Sequence, residues 1–161
     1  MLDLPGVVFV GAACFLLGII LVDLYWDTRV LERPYDETQA RAINAFYRNN
    51  LVGMRGRAPL LIALFPAGFL VVFGSLGYKL WTGWSGGDGH AVLTAGVSLV
   101  VLLPLIVIAA VSTFPILGVL SSDTADALPL ADQLVLHRRV FYQHAVYVVL
   151  TAAAVVLHVV L

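Results

Sequence analysis

Charged residues are scarce in this chain. Of its 161 residues, 12% are aspartate, glutamate, lysine or arginine and 61% are hydrophobic, whereas roughly a quarter of the residues of an ordinary soluble domain are charged. The sequence therefore indicates an integral membrane protein whose first partners are membrane lipids. The formal net charge of -1 and the lack of a basic stripe outside the loops argue against binding to nucleic acid.

Cysteine is nearly absent as well. The chain has one cysteine, Cys14, so an internal disulfide is excluded, and its place in an apolar run suggests a packing role. The N-terminal segment lacks the basic region of a secretory signal and carries Asp3 instead, which favours a retained membrane span. A lipoprotein cleavage site at Cys14 is disfavoured because the run stays apolar for eight more residues.

Four apolar runs predict an all-α, four-helix membrane bundle. The predicted spans cover about 5–22, 59–80, 91–120 and 136–161. The last run has 22 residues without a formal charge after Arg139, enough for a helix of about 33 Å. Gly11 and Gly18 are small residues that would let a neighbouring helix approach span 1. No internal repeat is visible, so a single domain over 1–161 is predicted.

The segment between the first two spans is polar. Asp36 and Gln39 resemble a capping box. Apolar residues then recur at three- and four-residue steps, which predicts an amphipathic helix over about 36–55. These apolar residues are Ala40, Ile43, Tyr47, Leu51 and Met54. The helix would lie on the membrane surface or cap the bundle, and a lid over a substrate entrance is the functional alternative.

The positive charges predict an orientation. All eight arginines belong to the first and third loops, and Lys79 alone belongs to the other side. By the positive-inside rule those two loops are cytoplasmic and both termini are non-cytoplasmic.

The last span carries an ordered set of polar side chains. His137, His144, Thr151 and His158 are seven residues apart, and seven helical steps of 100° nearly complete two turns. They therefore share one face. A polar face on a membrane helix normally turns away from lipid, so we expect this face to meet the other spans.

Carboxylates at the end of span 1 are predicted to reach the membrane depth at which span 4 begins. Asp23 and Asp27 would then lie near His137 and His144. A carboxylate near a histidine in a low dielectric raises its basicity and fixes its tautomer, which prepares a general base. Tyr147, three residues after His144, would add a phenol.

Other uses of these residues stay open. The two carboxylates would alternatively pair with Arg29, Arg138 or Arg139 at the interface. Asp23, Asp27, His137 and His144 are also donors that zinc or non-haem iron accepts. Against a metal, there is no H-E-x-x-H or E-x-x-H motif, and the two histidines are about 10 Å apart along the helix axis.

Haem ligation is a separate possibility. It requires two histidines on facing helices at equal depth, and His90 and His158 meet that requirement in the predicted topology. Both lie at the ends of their spans, where a lone interfacial histidine is the commoner finding.

The order of features resembles the small four-helix membrane family that includes the anthrone oxygenases of aromatic polyketide pathways. The resemblance rests on short motifs along most of the chain. They are the aromatic and acidic end of span 1, Tyr47-Arg48, Arg57-Ala58-Pro59-Leu60, the prolines Pro104 and Pro115, Arg138-Arg139 and His144-Ala145-Val146. The family's usual His-Pro is Arg33-Pro34 here, and its Asn-Arg near Ser121 is missing.

This resemblance implies an oxidoreductase that inserts oxygen into a lipophilic aromatic substrate at the cytoplasmic side. A base would take a proton so that the carbanion meets oxygen directly, with no bound cofactor. The implied base is His144 or His137, oriented by Asp23. Arg48 or Arg138 would steady the phenolate.

Two non-catalytic classes compete with this interpretation. The first is an accessory or assembly subunit of a larger membrane complex, which would pack its glycine-bearing faces against other membrane subunits. The second is a haem-binding, lipid-binding or transport module, for which His144, Thr151 and His158 are the candidate polar steps.

Overall fold

The computed structural model describes residues 3–32, 34–49 and 59–161, with no side chains described for 59–65. The described part is helical and contains no strand, which confirms the all-α class. The predicted connector residues Leu51 and Met54 lie outside the described residues, as do Arg33 and Arg57.

Six α-helices are named here in chain order. They are α1 (Leu4–Asp27), α2 (Glu37–Tyr47), α3 (Pro59–Gly86), α4 (Gly89–Ile108), α5 (Phe114–Leu120) and α6 (Leu130–Val160). Short 3-10 helices follow α1 (Thr28–Leu31) and α5 (Ala125–Ala127), and a π-helical turn, Ala109–Thr113, joins α4 to α5.

Among the described residues, three helical segments are long and apolar enough to cross a membrane. They are Leu4–Leu31, Gly89–Leu120 and Leu130–Val160. The helix at the second predicted span, α3, begins at Pro59 as expected from proline in a first turn.

Helices α1, α3 and α6 extend beyond their predicted spans. Helix α1 continues to Asp27 rather than ending near residue 22, α3 continues to Gly86 rather than ending near residue 80, and α6 begins at Leu130 rather than near residue 136. The added turns of α1 and α6 hold polar side chains that are paired inside the protein, which hydropathy alone does not reveal. The predicted capping box is confirmed, because Asp36 accepts from Gln39 N and the Gln39 side chain accepts from Asp36 N.

The long helices pack side by side. Helix α1 contacts α3 and α6, and α4 contacts the same two helices. Their shared core includes Phe9, Leu16, Leu76 and Leu102. Helix α2 lies across one end, where it contacts α6, and a second apolar cluster includes Ile43 and Val140 there. We call this the α2 end.

The glycine that lets α1 and α3 approach closely is Gly68, and not Gly11 or Gly18 as the sequence predicted. A Cβ on Gly68 would lie 2.7 Å from Leu16 Cδ2, so this glycine admits the α1 side chain. Gly11 and Gly18 face outward with open space around them. Within the described residues, no helix approaches these two glycines.

Candidate functional site

The polar face of α6 turns inward. His137, His144, Thr151 and His158 are all buried, with 2% to 5% of each residue exposed. The three histidines lie about 10 Å and 21 Å apart along the helix axis. Each therefore meets a different set of partners.

His144 is paired with Asp27 near the α2 end. Its Nδ1 lies 2.5 Å from Asp27 Oδ2. The other carboxylate oxygen, Oδ1, accepts a hydrogen bond from the hydroxyl of Tyr47. All three residues are buried, and they come from α6, α1 and α2. The last turn of α1 and the docking of α2 thus build this site together.

The hydrogen bonds indicate one tautomer for His144. A carboxylate only accepts, so Nδ1 carries a proton, and in the neutral imidazole Nε2 then carries the lone pair. No side chain in the described ranges hydrogen-bonds Nε2. An imidazole held by a carboxylate at one nitrogen and open at the other is the arrangement of a general base.

Tyr47 serves as a fixed donor to this carboxylate. Burial, followed by the charge of Asp27 and their hydrogen bond, raises the pKa of Tyr47 well above its ordinary value. Its hydroxyl therefore stays protonated at physiological pH.

Asp27 occupies the place expected for Asp23. Asp23 lies one helical turn earlier, is half-buried, and is close enough to interact electrostatically with His144. Tyr147 does lie beside His144, with ring centroids 5.9 Å apart, and its hydroxyl hydrogen-bonds Thr113.

His137 belongs to a separate network and has no free nitrogen. Its Nε2 lies 2.9 Å from Asn44 Oδ1, and its Nδ1 lies 2.6 Å from the hydroxyl of Tyr35. The amide nitrogen of Asn44 donates to Asp126 and Gln133. His137 therefore donates through Nε2 and accepts from Tyr35. Its lone pair is occupied, so of the two implied bases the geometry favours His144.

None of the arginines that the structure describes forms a hydrogen bond or ion pair with His144 or Asp27. Arg48 donates to Asp126 Oδ2 at 3.0 Å. The hydrogen bond from Asn44 and the nearby Arg48 lower the pKa of Asp126. Arg138 is exposed, and Arg29 stacks over Trp26 at 4.3 Å. Neither arginine implied for the phenolate, Arg48 or Arg138, is engaged with the Asp27–His144 pair.

The third histidine lies at the opposite end of the molecule. His158 Nε2 is 3.4 Å from Lys79 Nζ, and its Nδ1 is 3.1 Å from Ser98 Oγ. Lys79 also donates to Asp3 Oδ1 at 3.2 Å. This cluster joins α3, α4, α6 and the cap of α1. His90, the candidate haem partner of His158, is exposed.

The candidate metal set is divided between two networks. Asp27 and His144 meet, but His137 is held by Tyr35 and Asn44. Within the described residues, no three histidine, cysteine, aspartate or glutamate side chains are grouped so that they could hold a metal ion.

Sequence reasoning missed the contribution of α2. Tyr47 was assigned to the apolar face of that helix, and Asn44 was not singled out. Their positions could have indicated this role, because Asn44 and Tyr47 lie beside Ile43 at the apolar face of α2. A polar group on an apolar face needs a buried partner.

Comparison with protein-family models, curated proteins and solved structures finds no match for this chain. The geometry of the site is therefore the basis for a proposed function.

Proposed function

We propose that this chain is an integral membrane four-helix bundle in which Asp27 and His144 form a general base. The proposed substrate is a lipophilic, weakly acidic aromatic molecule. The proposed reaction is cofactor-independent oxygenation of the anthrone-oxygenase type.

The outward faces support the membrane assignment. Large apolar side chains are strongly exposed on several helices, including Leu70, Val100 and Val111, each at least 72% exposed. Such faces are costly in water and favourable in lipid.

The arginine distribution supports cytoplasmic first and third loops, which would place the α2 end and its base at the cytoplasmic side.

Cysteine labelling tests this orientation in a Cys14→Ser background. A cysteine at Ser85 should react with an impermeant thiol reagent added outside cells, and one at Thr124 should not. The reverse pattern would overturn the orientation, and labelling of both would overturn the membrane assignment.

One observation carries the catalytic proposal. His144 Nδ1 is held by Asp27, and Nε2 has no hydrogen-bonding side chain in the described part of the chain. When Nε2 takes a proton, the imidazolium forms next to a carboxylate, which stabilises the charge. Burial of the pair in an apolar core strengthens that stabilisation.

The proposed chemistry balances with dioxygen as the oxidant. His144 takes a proton from an activated CH₂ group of the substrate, and the carbanion forms a C–O bond with O₂. The resulting peroxide takes the proton back from His144. Loss of water then leaves a carbonyl, so that one O₂ converts a CH₂ group to C=O and H₂O.

Oxygen uptake by detergent-purified protein with anthrone tests the reaction. Removing a general base costs on the order of 10²-fold or more in rate, so His144→Ala should lose nearly all uptake above the uncatalysed background. His158→Asn, which changes a buried histidine at the opposite end, should retain it. Equal rates for wild type and His144→Ala would refute the proposal.

An apolar groove on α4 favours a second candidate function, that of an accessory subunit. The groove is lined by Val92, Leu93, Gly96, Val97, Val100 and Val101. A Cβ on Gly96 would meet nothing within 4 Å, so a helix of another membrane subunit would fit there. Gly96→Leu should then release a co-purifying subunit without changing the helical content.

A further inference from the structure

A buried charged cluster joins four helices at the end of the molecule opposite the α2 end. Lys79 and His158 are 6% and 2% exposed. The Lys79 Nζ atom lies 3.2 Å from Asp3 Oδ1 and 3.4 Å from His158 Nε2. His158 Nδ1 lies 3.1 Å from Ser98 Oγ. The ion pair links the N-cap of α1 to α3, and the imidazole links α3 to α4 and α6. We call these four residues the Lys79 cluster.

The hydrogen bonds of the Lys79 cluster fit one neutral form of His158. An ammonium only donates, so Lys79 donates to Nε2, which carries the lone pair. The imidazole proton is then on Nδ1. Ser98 donates its own proton to the backbone oxygen of Thr94 at 2.8 Å, so its Oγ accepts from Nδ1. Both ring nitrogens are therefore satisfied while His158 is neutral.

A second proton on His158 would break this arrangement. Nε2–H would then face the Lys79 ammonium, donor against donor and cation against cation. Helix α4 presents only neutral groups to His158 among the described residues, and the ring of Phe9 on α1 packs on the imidazole with centroids 4.6 Å apart. In the same part of the chain, Asp3 is the one carboxylate that acts on His158, and its Oδ1 already accepts from Lys79.

We propose that the Lys79 cluster is an acid-sensitive lock. While His158 is neutral, it holds α3 against α4 and α6. When His158 takes up a proton, Lys79 is repelled, and α3, still joined to α1 by the Asp3–Lys79 ion pair, separates from α4 and α6 at this end. In the proposed orientation this end is non-cytoplasmic, so the lock would respond to the pH on that side.

Proton linkage gives the direction and the size of the response. An accessible imidazole takes up a proton below about pH 6.5, and the closed lock has no place for that proton beside Lys79. The opened form therefore binds more protons, so the ratio of open to closed molecules should rise as the pH falls. The rise approaches tenfold per pH unit below about 6.5, which amounts to on the order of 100-fold between pH 7.5 and pH 4.5.

The reaction rate of a buried cysteine measures this opening even when opened molecules are rare. Ala95 on α4 is fully buried and lies three residues before Ser98. In detergent-purified protein with Cys14→Ser, Ala95→Cys is treated with 4,4′-dithiodipyridine, which reacts at acid pH. Its rate, divided by that of the exposed Leu4→Cys at the same pH, should rise on the order of 100-fold from pH 7.5 to pH 4.5. An unchanged ratio would overturn the inference.

His158→Gln tests whether His158 is the group that takes up the proton. The glutamine Oε1 can accept from Lys79, but the amide takes up no proton in this pH range. The acid response of Ala95→Cys should therefore disappear, and a response that persists refutes the role of His158. If His158→Gln does not fold, His158→Asn takes its place, because its amide can still donate to Ser98 and does not titrate either.

Ala13→Cys separates local opening from acid unfolding of the whole bundle. Ala13 is fully buried near the middle of α1, away from the Lys79 cluster. Its rate relative to Leu4→Cys should stay the same from pH 7.5 to pH 4.5 if the lock opens one end. A rise in parallel with Ala95→Cys would show that the bundle unfolds as a unit, and the lock would be refuted.

Discussion

The Nδ1 atom of His144 lies 2.5 Å from Oδ2 of Asp27, although the two residues are 117 positions apart in the chain. Tyr47 donates to the second oxygen of the same carboxylate. Both oxygens of Asp27 are thus held, and the carboxylate cannot rotate away from the imidazole without breaking a buried hydrogen bond. This restraint distinguishes a positioned base from a histidine that merely packs in a core.

Asp27→Asn should lower the proposed oxygenation or phenol binding far more than Asp23→Asn. In Asp27→Asn, the amide nitrogen would face His144 Nδ1 or the Tyr47 hydroxyl, which both donate to Asp27 in the wild type. An amide N–H that faces Nδ1 makes this nitrogen an acceptor and so favours the tautomer of His144 with its proton on Nε2. We expect a loss on the order of 10²-fold or more for Asp27→Asn. Oxygen uptake and ligand titration measure it, and equal effects of the two substitutions would contradict the assignment of Asp27.

Stability should fall as the pH rises from 10 to 12, and Tyr35 should account for part of the fall. Burial raises the pKa of Tyr35 from 10.0 to about 12. Because the pKa of Tyr35 is higher in the folded state than in the unfolded state, its contribution to the free energy of unfolding is complete below pH 10. This contribution is lost as the pH rises through about 12. Above that range a phenolate would face the lone pair of His137.

Chemical unfolding in detergent, followed by circular dichroism, checks the contribution of Tyr35. The free energies of unfolding of wild type and Tyr35→Phe should differ by about 1 kcal/mol at pH 7. The difference should shrink toward pH 12. A constant difference would show that the tyrosine does not donate to His137.

Asp3→Asn should destabilise the protein more than Lys79→Met. The Lys79 side chain is 8% exposed and that of Asp3 is 48% exposed. Loss of Asp3 leaves a buried ammonium without its carboxylate, at a cost of roughly 2–3 kcal/mol, whereas loss of Lys79 leaves a carboxylate that water can reach. Asparagine is also a good N-cap, so the hydrogen bond to Gly6 is kept.

The double variant Asp3→Asn/Lys79→Met supplies the control for this pair. Its free energy of unfolding should lie close to that of Lys79→Met alone, because no unpaired charge remains. If Asp3→Asn proves the milder single substitution, the buried ion pair is misassigned.

Gly83→Ala should destabilise the junction of α3 and α4, and Gly11→Ala should not. A Cβ on Gly83 would lie 2.9 Å from Ala91 Cβ and 3.1 Å from the backbone nitrogen of Val92. Backbone cannot move aside as a side chain can, so we expect a cost of about 1–3 kcal/mol. Gly11 has open space, and alanine there should be neutral or stabilising by up to about 1 kcal/mol. Thermal unfolding of both variants in detergent gives the comparison.

The sequence predicted the polar face of α6 because that face follows from helix geometry alone. Residues seven apart share a face in any α-helix, and in the proposed membrane setting lipid would favour turning this polar face inward. The choice between Asp23 and Asp27 does not follow in the same way. Four helical steps separate them by only about 40°, so both share a face, and the docking of Tyr47 from α2 selects Asp27.

The buried position of Lys79 was equally hidden from sequence. Hydropathy and charge counting place a lone lysine at a span boundary, where it was assigned to the side opposite the arginines. Its burial depends on Asp3 and His158, which are 76 and 79 residues away. Partners that distant come together only when the helices pack, so local patterns do not reveal them.

Nitrogen-15 NMR of the histidines in lipid bilayers at pH 7 distinguishes the tautomer and the charge of each imidazole. We propose that Asp27 holds His144 as a neutral imidazole with its proton on Nδ1 and an available lone pair on Nε2. The spectra should assign this tautomer to His144 and the opposite one, with the proton on Nε2, to His137. The account would be contradicted if His144 carried its proton on Nε2, or if it were doubly protonated, because neither form can accept a proton from a substrate.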